Sequence, residues 1–134
     1  MKTYVFDASA LLAFLENKPS AATVAELLKE ARRGRSQILM SAVNYGEVYG
    51  YLLRTFGFDR SKSTMAGASP LPIVLADATA SRSLLAAEVK FKYKLYYADS
   101  FAAALSVEHK ATLVTSDSDF RRLGRSVAIL WLKP

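Results

Sequence analysis

Short runs of β-branched and aromatic residues alternate with longer segments of helical periodicity from one end of the chain to the other. This alternation restricts the fold more than any other feature of the sequence. Strands are predicted at residues 2–6, 37–40, 73–75, 111–115 and 127–131. Between the first two lie a helix over 10–16 and a second opened by Pro19-Ser20, in which Val24, Leu27, Leu28 and Ala31 recur at helical spacing until Gly34. Ser41 is placed to cap the next helix, which ends at Gly57. Its expected buried side is Val43, Val48 and Leu52, with Asn44, Glu47, Tyr51 and Arg54 near one another on a different face. A short helix over 59–68 precedes the third strand, and one capped by Asp77 and reaching Val89 follows it. Residues 90–97 alternate basic with apolar, which leaves a strand and an irregular approach both open. A helix from Asp99 to Val107 and a turn with a short helix over 116–123 complete the pattern. Such alternation implies crossover connections onto a mostly parallel sheet covered on both faces, hence a three-layer α/β/α fold in one domain over 1–134.

Composition narrows the chemistry. At 51% hydrophobic and 22% charged, 134 residues suffice for a packed core and exclude a disordered chain. The lack of cysteine excludes a disulfide scaffold, a thiol nucleophile and thiolate metal sites, and fits a reducing, cytoplasmic compartment. A solitary His109 excludes a multi-histidine zinc cage. Charges interrupt every apolar stretch before the ~18 residues that a spanning helix needs, so no membrane segment is expected. Asp7 cuts the apolar start Tyr4-Val5-Phe6, which argues against a signal peptide. The net charge of +6 suits a polyanionic partner.

Five of the 12 acidic residues fall where an α/β sheet builds its sites. Asp7 ends the first strand, Asp99 opens a helix, and Asp117 and Asp119 follow the strand ending at Thr115. Glu47 lies about two turns into the helix after the second strand. In open parallel sheets, ligands bind beyond the carboxyl ends of the strands where strand order reverses, so these acids are expected to converge. Gathered carboxylates raise one another's pKa and call for a counter-charge. With no cysteine and one histidine, the natural choice is Mg²⁺ or Mn²⁺ on an all-oxygen site, the apparatus for in-line displacement at phosphorus. Each acid also has a plainer role: Asp7, Asp77 and Asp99 as helix caps, Asp117 in a turn, Glu47 on a solvated helix face.

The segments Val5-Phe6-Asp7-Ala8-Ser9-Ala10-Leu11-Leu12, Ser41-Ala42-Val43-Asn44-Tyr45-Gly46-Glu47-Val48, Ala98-Asp99-Ser100 and Leu113-Val114-Thr115-Ser116-Asp117-Ser118-Asp119-Phe120 together resemble a PIN domain of the VapC toxin type. Their order and spacing make the set specific, and the resemblance spans essentially the whole chain. It implies a metal-dependent endoribonuclease, usually a homodimer, held inactive by an antitoxin encoded beside it. It further implies that Asp7, Glu47, Asp99 and Asp117 hold Mg²⁺ or Mn²⁺, that Asp119 matches a fifth, less uniformly used acid, and that Ser9 and Thr115 orient the acids. On this reading Asp7, Asp99 and Asp117 hold the principal ion, while Glu47 places a second ion or the attacking water. The departures are Asn44, where a threonine is frequent, and His109-Lys110 in place of a small or glycine-containing turn.

An RNA substrate would need cations and rings. Lys29, Arg32, Arg33 and Arg35 read as the solvated side of an amphipathic helix. Lys90, Lys92 and Lys94 interleave with Phe91, Tyr93, Tyr96 and Tyr97 just before Asp99, offering cations for phosphate and rings for unstacked bases, with burial of Phe91 and one tyrosine the plainer outcome. Arg121 and Arg122 follow the Asp119 turn and are expected phosphate contacts. His109 reads as a charge partner of its helix's C-terminus and Trp131 as core or interface packing. Tyr45, Tyr49 and Leu53 suit a dimer, an antitoxin groove or the core alike. Two other functions stay open: a binding module for antitoxin or RNA that does not cut, and a processing nuclease with no antitoxin. A phosphoryl-transfer enzyme using Asp7 as nucleophile is disfavoured, because Ser9 stands where a second acid is needed.

Overall fold

The computed structural model describes residues 1–134. In chain order the elements are β1 (Lys2–Phe6), α1 (Ala8–Leu15), α2 (Ala21–Arg32), β2 (Ser36–Ser41), α3 (Ala42–Phe56), α4 (Phe58–Ala68), β3 (Val74–Ala76), α5 (Ala80–Tyr93), α6 (Tyr97–His109), β4 (Thr112–Thr115), a 3₁₀ helix (Ser118–Leu123) and β5 (Ile129–Trp131). The five strands are all parallel, in the order β3-β2-β1-β4-β5. From β1 the chain builds outward to β3, then crosses to the other side of β1 for β4 and β5. Strand order therefore reverses between β1 and β4, and the carboxyl ends of these two strands frame the crevice where such sheets hold ligands.

The period-two alternation of side chains along a strand builds two cores from one sheet. Val5, Leu39 and Leu113 stand in register and join Ala86 and Val89 of α5 and Phe101 and Leu105 of α6 on one face. Their neighbours Phe6, Met40 and Val114 are likewise in register and join Leu11, Val24, Val48 and Leu52 of α1, α2 and α3 on the other. This is the three-layer arrangement that the alternating pattern implies. No helix is long and apolar enough to cross a membrane.

Local signals are obeyed in places and overridden in others. Ser41 caps α3 by accepting from the Val43 N–H at 3.2 Å, and Gly57 ends that helix at φ 79°. Thr79, not Asp77, caps α5, accepting from the Arg82 N–H at 3.2 Å. Residues 90–93 are neither strand nor irregular: they continue α5, because Ala86 and Val89 anchor a helical stripe, and the turn closes only at Lys94 in the left-handed region. A strand-like alternation of basic and apolar residues has here become a helix with its apolar residues partly outside. In α3 the buried stripe is Asn44, Val48 and Leu52 at intervals of four, so Asn44 belongs to the inner face and Val43 is only half-buried. Trp131 is not core; it lies half-exposed on the edge strand β5 with the Arg121 guanidinium 5.8 Å from its ring centre.

Leu113 is fully buried on a central strand, whereas Val74 is half-exposed on the edge strand β3. Leu113→Ala is expected to cost about 2–5 kcal/mol in urea denaturation and Val74→Ala less than ~1 kcal/mol. Equal costs would contradict this division of the sheet.

Candidate metal centre

Asp7 follows β1 directly and is only 4% exposed, so its charge must be satisfied from within. It caps α1, its Oδ1 accepting from the Ala10 N–H at 3.0 Å and from the Ser9 hydroxyl at 2.7 Å. Its Oδ2 accepts from the Thr115 hydroxyl at the end of β4. Each of these hydroxyls also accepts from the loop after β4: Ser9 Oγ from the Ser116 N–H at 3.0 Å, and Thr115 Oγ1 from the Asp117 N–H at 2.9 Å. A hydroxyl has one proton, and both give it to Asp7. The 3.3 Å approach of Ser9 Oγ to Thr115 Oγ1 is thus a contact rather than a further bond. The network ties the carboxyl ends of β1 and β4 together at the switch point.

From this anchor the other acids are set out. Asp117 opens the 3₁₀ helix and accepts from the Asp119 N–H at 2.9 Å, which holds the two acids side by side. Asp99 sits in the first turn of α6, which begins two residues earlier than its own position at Tyr97. Oxygens of Asp99, Asp117 and Asp119 all lie within 4.8 Å of one another, a spacing and donor type suited to one hard divalent cation. Glu47 is exposed on α3, with its Oε1 accepting from the Asn44 Nδ2 at 2.9 Å. That same amide donates to the Ala98 carbonyl at 3.0 Å, so Asn44, 1% exposed, joins Glu47 to the residue before Asp99. Asn44 Oδ1 is buried without a partner. The sequence pattern places Asn44 beside Glu47 but on a face away from Val48; its position four before Val48 on the buried stripe is the signal that it links two helices.

Electrostatics records the crowding. Burial pushes Asp7 up to about 6 against the pull of its Thr115, Ser9 and Ala10 hydrogen bonds. Burial first, and then the charges of Asp117, Glu47, Asp7 and Asp119, push Asp99 up to about 7. The four other acids therefore all bear on Asp99, and none of the five is in an ion pair with a basic side chain.

The basic residues divide. Lys29, Arg33 and Arg35 pair with Glu26 and Glu30 on the surface of α2 and its end, as a solvated face should. Lys90 and Lys94, four apart at the end of α5, line one cavity with Leu95, Tyr96, Arg122 and Asp119. Lys92, two residues on from Lys90, falls on another side of the helix, its ammonium 5.3 Å from the Tyr93 ring centre. Arg122 donates to the Lys94 carbonyl at 2.8 Å, and Arg121 lies over Trp131. His109 ends α6, 2.9 Å from Glu108 and at the opposite end of the helix from Asp99. Tyr45 and Tyr49 line a separate groove with Gly46, Lys62, Met65 and Ala66.

An all-parallel α/β sheet whose switch point carries clustered carboxylates defines an acid-centred domain with the donor set for a divalent cation. The chain belongs to the PIN domain family, whose model matches residues 4–126. Its fold is shared with VapBC2 from Rickettsia felis bound to a promoter DNA fragment (16% identity, TM-score 0.77, covering 98% of this chain and 99% of that one). It is also shared with VapC20 of Mycobacterium tuberculosis, a sarcin–ricin loop cleaving toxin (17% identity, TM-score 0.72, 90% and 95%). A third such structure is DNA-bound VapBC from Salmonella typhimurium (14% identity, TM-score 0.73, 97% and 98%). No curated protein sequence matches the chain.

In the metal-free protein, Asp7 and Asp99 bind more protons folded than unfolded between their ordinary 3.8 and values of about 6 and 7. The stability they contribute is complete below about pH 4 and is lost as pH rises through about 6 to 7. In EDTA the melting temperature should fall across this window, and Mn²⁺ should raise it more at about pH 8 than at about pH 5, since the ion competes with protons. A Mn²⁺ shift independent of pH would contradict the assignment. Thr115→Val keeps the shape of the side chain and removes the hydroxyl between Asp7 and Asp117, and should cost about 1–3 kcal/mol in urea denaturation.

Proposed function

We propose that this protein is a Mg²⁺- or Mn²⁺-dependent endoribonuclease acting as the toxin of a toxin–antitoxin pair. The reading is carried by one observation: Asp99, Asp117 and Asp119 bring oxygens within 4.8 Å of one another with no basic side chain in ion-pair contact. Carboxylates held so close repel one another, a cation would relieve that repulsion, and an all-oxygen donor set favours Mg²⁺ or Mn²⁺ over Zn²⁺. Bound there, such an ion supplies charge to stabilise phosphodiester oxygens and activates water for in-line displacement.

The chain's own residues have separable tasks in this mechanism. Asp99, Asp117 and Asp119 would hold the ion, and Asp7, whose two oxygens are engaged by Ser9, Ala10 and Thr115, would join them as a ligand by exchanging one of those bonds. Ser9 and Thr115 keep Asp7 and the loop bearing Asp117 in register through the hydrogen bonds they share. Glu47, one oxygen of which is held by Asn44, orients the attacking water or a second ion with the other. No side chain becomes covalently attached, and the products are a 5′-phosphate and a 3′-hydroxyl. Because protons and a cation would compete for Asp99, whose carboxyl is pushed up to about 7, cleavage at limiting metal should rise with pH toward that value.

RNA as substrate is supported by the basic cavity that shares Asp119 with the acidic cluster. The toxin role and an antitoxin partner are supported by the assemblies that share the fold, among them VapBC complexes from several bacteria. The groove of about 440 Å³ lined by Tyr45, Tyr49 and Met65 is a surface that an antitoxin or a second copy of the chain would cover. A cysteine-free chain without a membrane-spanning helix is consistent with action in the cytoplasm.

Cleavage of a structured RNA in Mg²⁺ by wild type and by Asp99→Asn tests the proposal. The variant should be slower by about 100-fold or more, and EDTA should abolish cleavage by the wild type. Equal rates for the two proteins would sink it.

A further inference from the structure

The turn between α5 and α6 carries two adjoining cavities. The first, about 350 Å³, is lined by Lys90, Lys94, Leu95, Tyr96, Asp119 and Arg122; the second, about 420 Å³, by Ala87, Lys90, Phe91 and Lys94. Both volumes lie in the ~300–1,000 Å³ range of ligand sites. They share Lys90 and Lys94, which the helical repeat and the left-handed turn at Lys94 set on their common wall. Each cavity has one aromatic side chain in the open: Tyr96 is 74% exposed in the first and Phe91 is 88% exposed in the second. Tyr97 is different, since its ring packs edge-on against Phe101 at 5.1 Å.

Two rings separated by a pair of ammonium groups match two bases separated by a phosphate. The first cavity also shares Asp119 with the acidic cluster, so a strand lying along it runs directly to the site of cleavage. The turn is pinned: the Arg122 guanidinium donates to the Lys94 carbonyl at 2.8 Å and the Lys90 ammonium to the Leu95 carbonyl at 3.4 Å. Each cation uses one donor on the backbone and keeps the rest for a ligand. Paired RNA hides its base faces in the stack, whereas unpaired nucleotides can turn them onto rings.

We propose that the two cavities form a track for unpaired RNA, in which consecutive bases stack on Tyr96 and Phe91 and their linking phosphate meets Lys90 and Lys94. The proposal rests on the nuclease reading for its substrate, and adds which side chains of this chain carry the strand to the acidic cluster. Lys92 and Arg121 take no part in the track, the one lying beside Tyr93 and the other over Trp131.

Fluorescence anisotropy tests this on the full chain carrying Asp99→Asn, in EDTA, so that binding is read without cleavage. The probes are a labelled single-stranded RNA octamer, the same octamer with abasic sites throughout, and an RNA duplex of equal length. Tyr96→Ala and Phe91→Ala should each weaken octamer binding about tenfold, and Tyr96→Phe should retain it. The abasic octamer and the duplex should bind these variants as they bind the parent. Lys94→Gln should lower the salt slope for the octamer by about 0.7. Octamer binding unchanged by both ring substitutions, or lost equally for the abasic strand, would overturn the track. A wild type that binds through these rings yet cleaves no RNA keeps the track and removes the nuclease reading. Cleavage with ring-independent binding does the reverse.

Discussion

The rest of the site depends on one buried carboxylate. Asp7 follows the strand at the centre of the sheet, and its two oxygens collect the Ser9 hydroxyl, the Ala10 N–H and the Thr115 hydroxyl. Because each hydroxyl gives its single proton to Asp7, each turns a lone pair toward the backbone that follows β4. The start of that loop, and so Asp117, is held through the same two hydroxyls that bind Asp7. The carboxylate that caps α1 is thus also the one that, through Ser9 and Thr115, anchors the loop carrying Asp117.

That arrangement gathers negative charge where a fold would ordinarily avoid it. Asp99 responds to four neighbouring acids as well as to burial, and its proton affinity rises accordingly. Repulsion of this kind costs stability, and a bound cation would relieve it. The domain tolerates it because the two cores on either face of the sheet do not involve these side chains, apart from the backbone they share.

How much was legible in the sequence follows from the range of the interactions concerned. Five strands, their separation by helices, and the placing of Asp7, Asp99, Asp117 and Asp119 near strand and helix ends came from local pattern, and all are present in the structure. Residues 90–93 defeated that reading, because their alternation of lysine with aromatic residues has period two while tertiary contacts of Ala86 and Val89 impose the helical period. The consequence is chemical: Lys90 and Lys94 share a cavity and Lys92 leaves it. Asn44 was misplaced on the outer face for a similar reason, since only the packing of α3 against α6 reveals that its amide has partners on both helices.

By itself the sequence determined the order of elements, the parallel class of the sheet, and the absence of any soft or imidazole-rich metal site, because propensity, periodicity and composition are local or additive properties. The tertiary structure alone decided which acids meet. Asp99 and Asp117 are separated along the chain by a helix and a strand, and their oxygens come together only because β4 lies beside β1 and α6 returns its first turn to the same sheet edge. Proximity between distant segments is a property of the assembled sheet, and so are the shifted proton affinities and the paired cavities that follow from it.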